Sequence, residues 1–381
     1  MSIPFRTLLI AFGMSLAVRP CCAELPATDV QSTVQTSLEF LRNDMHVWRN
    51  QRRCAACHHG PMYLWASTVA ESNGYTVDEQ DLSEHADWLV SNDARLFRPS
   101  LPGATEKPRL SQGTIYLAHA LNALPSDNKN RVRGWKRIAD HWQATQQESG
   151  AWLGPAGRPP IFNTPEILTQ LISLAIVDSA DKSQENPSSS ASDLQGMHKR
   201  AESWLTSTTM DVSHQGLVLN LWRATNERDP NFTEHIDRFV KTLRELQQTD
   251  GGWSQGDGLP SDAFATGQTL FVFHRAGIGA NDEAVNKGID YLVQSQQSNG
   301  TWPMRSRSDP ATNMPAGNLN PITYAATSWA TIGMSLYVPE TRARSGRVPL
   351  TPKMASSAAA DVNAKGIHEL ANCPIGECPG Q

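Results

Sequence analysis

The chain has 381 residues, 39% of them hydrophobic, with 24 prolines, 26 glycines and a formal net charge of −5. That is enough apolar material for one large core or two ordinary ones. The mildly acidic balance gives no electrostatic footprint for nucleic acid and excludes that class of partner.

At the N-terminus, a short cationic start from Met1 to Arg6 leads into the apolar run TLLIAFGMSLAV, with small residues Cys21 and Ala23 placed before a cleavage point. This is the pattern of a secretory signal peptide over residues 1–23, and the run is too short to span a membrane. Cleavage there removes Arg6 and Arg19, takes the net charge from −5 to −7, and leaves Cys54, Cys57, Cys373 and Cys378. The expectation is a periplasmic or secreted protein with no membrane span in its mature chain, in a compartment that permits disulfides.

The first helical segments are VQTSLEFLRND and MYLWASTVAESNG, with QRRCAACHHGP between them, and LSEHADWLVSN with LSQGTIYLAHALNAL makes a second pair. Three later segments share one design: WKRIADHWQATQQESGAWLG, IDRFVKTLRELQQTDGGWSQ and GIDYLVQSQQSNGTWPM. Each has apolar residues at helical spacing, a Gln pair, a turn with Gly, and a Trp (Trp152, Trp253, Trp302). Trp152 and Trp253 lie 101 residues apart and Trp253 and Trp302 lie 49 apart, so the period is near fifty with one hidden unit. That unit is MHKRAESWLTSTTMDVSHQGLVLNLWRAT, with a shortened turn.

After each Gly-x-Trp turn comes a segment rich in small and apolar residues: TPEILTQLISLAIVD, SDAFATGQTLFVFHRAG and NPITYAATSWATIGMSLY. Each opens on Ser, Asp, Asn or Thr near a proline or turn, a helix-start signature. Six helix pairs are predicted in all. Charge-poor second helices should line an inner ring and the charged first helices an outer one, an (α/α)6 toroid within residues 24–338. An open solenoid is the competing architecture. The Ser-rich stretch 179–193 reads as a connector and residues 339–381 as an extended tail.

The turns QQTDGGWSQ, SQQSNGTWPM and TQQESGAWLG resemble the QW motifs of the terpenoid cyclase and protein prenyltransferase superfamily, and the chain is similar to squalene-cyclase-like repeat proteins with an N-terminal CxxCH. The resemblance covers roughly residues 31–338 and implies the α/α toroid. It also implies that each turn Trp packs on the preceding helix while the Gln ties loop backbone together. The catalytic pattern does not carry over. Where class II cyclases have D-x-D-D-T, this chain reads Asp262-Ala263-Phe264-Ala265-Thr266, with Phe264 in the place of the proton donor. A phenyl ring has no proton to give. The zinc site of prenyltransferases also lacks its cysteine, since none occurs between Cys57 and Cys373. Asp262 reads as an N-cap, and Asp262 and Asp257 stand as the acids a non-standard cyclase- or prenyltransferase-like enzyme would use. A sugar-active enzyme on a helical double ring is a further alternative, although no carboxylate pair is evident.

Cys54-x-x-Cys57-His58 is the sequence that covalent haem c attachment requires. Two thiols two residues apart reach both vinyl groups of one porphyrin edge, and the histidine supplies the axial imidazole. A zinc site using Cys54, Cys57, Cys373 and Cys378, or a Cys54–Cys57 disulfide in a lipid- or partner-binding toroid without catalysis, answers the same residues. The tail pair Cys373 and Cys378 reads as a local disulfide. Met314, in SDPATNMPAGNLNP, is a distal-ligand candidate because ring closure brings the sixth repeat to the first, and axial Met raises a haem potential. Met304, His119 and His274 are others, while His59 and Met62 are too near His58 to reach the opposite face. The leading expectation is a haem protein with an electron-transfer or haem-linked redox role. It would work with a redox partner protein and hold an apolar or isoprenoid ligand in the central cavity.

Overall fold

The computed structural model describes residues 27–55, 59–97, 110–154, 161, 164–182, 189–209, 213–226, 232–306, 317–318 and 320–337. The predicted signal peptide, the tail, Cys57, His58, Met314, Cys373 and Cys378 lie outside them. The outer helices are α1 (Ala27–Arg52), α3 (Glu79–Leu89), α5 (Lys129–Thr145), α7 (Ser189–Ser207), α9 (Phe232–Glu245) and α11 (Glu283–Ser295). The inner helices are α2 (Gly60–Ser72), α4 (Gln112–Ala123), α6 (Pro165–Lys182), α8 (His214–Asn226), α10 (Ala263–Arg275) and α12 (Asn320–Ser335). A two-residue hairpin, β1 (Arg305–Ser306) with β2 (Gly317–Asn318), precedes α12. No described helix is long and apolar enough to cross a membrane.

Composition decides which helix goes where. In α11 only the stripe Ala284, Val285, Gly288, Ile289 and Leu292 is buried, as an amphipathic outer helix requires. In α12 every residue from Tyr324 to Ser335 is buried. Its hydroxyls survive burial by bonding back one turn, as Ser328 Oγ does to the Tyr324 carbonyl (2.9 Å) and Thr331 Oγ1 to Thr327 (2.7 Å). Asp78, Asn128, Asp262 and Asp282 cap α3, α5, α10 and α11 through their side chains.

The inner helices close on themselves: α2 packs on α4, α4 on α6, α6 on α8, α8 on α10, α10 on α12, and α12 returns to α2. That is the six-pair toroid, and the open solenoid is set aside. Across the ring axis the side chains meet. Trp65 of α2 reaches Trp222 of α8, on the opposite side, with ring centroids 6.3 Å apart. His119, Phe271 and Trp329 complete the cluster, stacked on or edge-on to Trp65 at 5.1, 5.7 and 5.0 Å. At this level the ring interior is packed aromatic core. One boundary differs from the sequence reading: α6 runs to Lys182 and α7 begins at Ser189, so much of the 179–193 connector is helix. Serine clusters serve helix ends as well as linkers, which is why composition alone extended it.

The three Gln–Gly–Trp turns are one device used three times. Trp152, Trp253 and Trp302 donate their indole N–H to the carbonyls of Trp142, Leu243 and Leu292, at 3.0, 2.6 and 2.9 Å. Their backbone N–H groups donate to Thr169, Thr266 and Thr327 of the following inner helix. Gln146, Gln247 and Gln296 each donate to their own turn's glycine carbonyl and to the next outer helix, at Met197, Ala284 and Thr33. Gln296 thereby ties α11 to α1 and closes the outer ring. The glycines are required: at Gly251, φ is 90° and a Cβ would sit 2.4 Å from the Lys287 carbonyl oxygen.

Candidate functional site

The first repeat has no such clasp. After α1 ends at Arg52, Arg53 turns into the left-handed region (φ 52°) and the chain enters Cys54, which is 3% exposed. The Ala55 N–H donates to the Ala94 carbonyl (3.0 Å), and the Gly60 N–H returns to the Ala55 carbonyl (2.9 Å). These two bonds pinch the ends of the segment that carries Cys57 and His58. Pro61 in the first turn of α2 fixes φ where no backbone donor is needed.

His59 anchors the far side of the loop. Its imidazole is fully buried between two aromatic planes, Trp48 of α1 at 4.0 Å and 19° and Tyr324 of α12 at 4.1 Å and 23°. Its Nε2–H donates to Asp44 Oδ2 (3.1 Å), and the Asn320 amide donates to the same carboxylate (3.3 Å). Tyr324 is fixed in turn by its hydroxyl on the Leu41 carbonyl (2.9 Å). Burial pushes the His59 pKa below its ordinary value, against the opposing pull of Asp44. The ring is therefore a neutral donor at neutral pH, and it staples repeat one to repeat six.

A charged network backs the loop on its other side. Asp81 accepts from the Tyr63 hydroxyl (2.6 Å), His46 Nε2 (2.7 Å) and Arg42 Nε (3.3 Å). Burial alone would raise the Asp81 carboxyl, but Tyr63, His46 and Arg42 outweigh it and hold the pKa low. His85, buried and pushed down to about 4 by desolvation, donates Nε2–H to the Gly60 carbonyl (3.0 Å). The start of α2 is thus held to α1 and α12 through His59 and to α3 through His85.

Beside Cys54 runs a groove of about 540 Å³ lined by Arg49, Asn50, Arg53, Trp88, Asn92, Asp93 and Arg95. Arg49 lies over the Trp88 ring, 4.4 Å from its centroid. Arg53 and Arg95 (φ 56°) are the two non-glycine residues with positive φ among the described residues.

The other residues singled out by sequence lie elsewhere. Asp262 caps α10, accepting from Ala265 N–H (2.8 Å) and from Gln255 Nε2 (2.8 Å), and Asp257 is exposed on the preceding turn. Phe264 is buried against Trp329 at 6.4 Å. His119 belongs to the aromatic plug, pushed down to about 3 by burial, and His274 stands edge-on to Tyr337 at the end of α10. Met62 is buried and Met304 packs on the core. Met314 lies outside the described residues; the hairpin β1–β2 flanks its segment in sequence, and Asn320, at the start of α12, donates to Asp44. Sequence reasoning missed Asp44, Trp48 and Tyr324 as His59's partners. Tyr324 lies 265 positions from His59 (59 to 324), so no local signal joins them.

Comparison with known proteins agrees with this geometry. The squalene-hopene cyclase C-terminal domain family matches residues 198–345, the last three helix pairs. A type II terpene cyclase from Scytonema, solved with geranylgeranyl dihydroxybenzoate, superposes with a TM-score of 0.50 at 13% identity, covering 81% of this chain and 98% of that one. The chain is a terpenoid-cyclase-like α/α toroid. The toroid also matches a polysaccharide lyase with a TM-score of 0.50 at 10% identity, over 81% of this chain and 96% of that one. Two activities on one ring make these likenesses statements about fold alone. In sequence, the toroid is 28% identical to drimenyl diphosphate synthase of Streptomyces showdoensis over 109 residues, 29% of this chain and 20% of that protein. It is 34% identical to squalene–hopene cyclase of Zymomonas mobilis over 77 residues, 18% of this chain and 12% of that protein. The chain thus spans a fifth or less of the curated relatives it matches.

Proposed function

We propose that the protein is an exported c-type haem protein, in which a terpenoid-cyclase-like toroid carries one haem at the Cys54–His58 loop for electron transfer or haem-linked redox chemistry. The observation that carries this reading is the pairing of the CxxCH sequence with its place. The motif stands at an outer-to-inner turn that has no Gln–Gly–Trp clasp and is instead pinned at Ala55 and Gly60, beside a groove of about 540 Å³. Cys54 and Cys57 would hold the group by thioether bonds, and His58 would ligate its iron. His59 is already committed to Asp44, so it serves as anchor and leaves the axial role to its neighbour. Met314 is the proposed distal ligand, supported by the contacts of α12, the helix that follows its hairpin, with Asp44 through Asn320 and with His59 through Tyr324. When bound, such a group supplies reversible one-electron transfer, with a potential set by its axial ligands and surroundings. A redox partner protein follows from that role.

Cyclisation is the less favoured reading. Phe264 offers no acid, and the Asp262 carboxylate is spent on capping α10 and on Gln255. An apolar or isoprenoid ligand in the ring would have to lie clear of the Trp65–Trp222 plug. A second reading of the cysteines, a disulfide that stands in for the missing clasp, is favoured by the burial of Cys54. Intact mass of the exported protein before and after reduction separates the two. The haem reading expects hundreds of daltons on the peptide holding Cys54 and Cys57, resistant to reductant. A gain of two hydrogens on reduction, with no added group, would replace it with the disulfide.

A further inference from the structure

A cavity of about 220 Å³ lies between α6, α7 and α8, where Leu174 and Val177 give it an apolar wall and Ser173, His198, Glu202 and Arg223 a polar one. Ser173 Oγ is 2.8 Å from His198 Nδ1 and 2.7 Å from Glu202 Oε1, and Glu202 is paired with Arg223. Hydroxyls on other inner helices bond back one turn, as those of Thr269, Ser328, Thr331 and Ser335 do. Ser173, only 3% exposed, instead crosses to two side chains of α7. Burial pushes the His198 pKa below its ordinary value against the pull of Glu202, with the Arg223 charge adding to the effect. The imidazole is therefore neutral at neutral pH and carries one N–H. That proton count sets the direction of the chain. Both contacts hold a proton when His198 Nδ1–H donates to Ser173 Oγ and the Ser173 hydroxyl donates to the Glu202 carboxylate.

We propose that this cavity is an acyl-transfer site for short esters, in which Ser173 is the nucleophile, Glu202 its general base and His198 the donor that orients Oγ. A hydroxyl already hydrogen-bonded to a carboxylate has the acceptor for its proton in place. As Ser173 Oγ bonds to the ester carbonyl carbon, its proton passes to Glu202. The tetrahedral oxyanion then collapses, the C–O bond to the alcohol breaks, and Glu202 returns the proton to the departing alkoxide. Water attacks the acyl-serine by the same route, releasing the acid and restoring the hydroxyl. Arg223 is the cation in the lining, so negative charge on the ester oxygen develops in its field. The cavity holds roughly seven water volumes, which suits an acetyl or similarly short acyl group against Leu174 and Val177.

The test uses the full-length protein as wild type, Ser173→Ala and Glu202→Gln, with a small fluorophosphonate and a soluble acetyl ester as probes. The readouts are peptide mass after the fluorophosphonate and acid release from the ester at constant pH. Wild type should gain the phosphonyl adduct on Ser173 and hydrolyse the ester. Ser173→Ala should fall to the background rate, and Glu202→Gln should lower kcat by about 10²- to 10⁴-fold with little change in KM. Should Ser173→Ala fail to fold, the adduct on wild type and its slowing in Glu202→Gln still decide. A Cys54→Ser/Cys57→Ser protein should match wild type in both readouts, so this site and the haem reading stand or fall separately. No adduct on Ser173 in wild type, or acid release equal in wild type and Ser173→Ala, would overturn the proposal and leave Ser173 as a tie between α6 and α7.

Discussion

Of the six turns that return the chain from an outer helix to an inner one, four show two contrasting solutions. At Trp152, Trp253 and Trp302 the turn is a clasp of an indole N–H, a glutamine amide and a left-handed glycine, with the indole and amide N–H donors spent on backbone carbonyls. At Cys54 the same place holds thiol, imidazole and guanidinium groups, and the anchoring passes to His59, which reaches the last repeat instead of the next one. A clasp saturates every donor it has and leaves nothing for chemistry. Among the described residues, the Cys54 turn is pinned at Ala55 and Gly60. The first turn can spare a clasp because Gln296 and His59 both tie the first repeat to the last, so closure holds at two points.

That contrast can be attacked from both sides. Trp253→Ala removes a fully buried indole and leaves the Leu243 carbonyl without its donor, and should cost about 3–5 kcal/mol in urea unfolding. Cys54→Ala in haem-free protein should cost much less, since a thiol fills little volume; comparable losses would make the Cys54 turn a clasp after all. Next in size, His59→Ala empties the slot between Trp48 and Tyr324 and should lose roughly 2–4 kcal/mol. His59→Phe keeps the stacking but breaks the Asp44 bond, and should recover about half of that. A His59→Ala protein as stable as wild type would remove the anchor from the account.

Gln296→Ala leaves the Thr33 and Gly300 carbonyls short of a donor and should cost about 1–2 kcal/mol, matched by Gln247→Ala within the sequence-internal clasp. A much larger loss for Gln296 would mean that ring closure depends on that one residue. The smallest effect is a slope. The folded pKa of His59 is depressed, so the unfolded chain takes up its proton first as pH drops below about 6.5, and native stability is lost from there downward. Wild type should therefore lose stability faster than His59→Phe on acidification, by at most about 1.4 kcal/mol per pH unit, while Gln247→Ala keeps the wild-type slope. Parallel curves for wild type and His59→Phe would contradict a neutral buried imidazole.

The ring was legible in the chain because it is written in local terms: a Gln pair, a glycine and a Trp at a period near fifty, then a charge-poor helix. Within each clasp the indole, the glycine and the following helix's threonine lie within one repeat, so pattern and contact coincide there; the Gln296–Thr33 bond that closes the ring is the exception. The Cys54 site was legible only as a motif. Asp44, Trp48 and Tyr324 are ordinary residues on helices until the ring closes, and the His59 sandwich depends on contact between residues at opposite ends of the fold. The packed centre was equally hidden. Charge-poor inner helices predict burial, but whether they enclose a cavity or a plug depends on Trp65 and Trp222 meeting across the axis. The reach of α6 to Lys182 shows the converse error, in which serine-rich composition outweighed helical continuation.

The most direct test of the central claim is the visible spectrum of the protein exported with a cytochrome c maturation system, recorded oxidised and then reduced with dithionite. The account predicts a sharp reduced α-band of the c type that persists after acid–acetone extraction and vanishes in Cys54→Ser/Cys57→Ser. A colourless wild-type protein, folded and with both thiols titrating or joined as a disulfide, would contradict it.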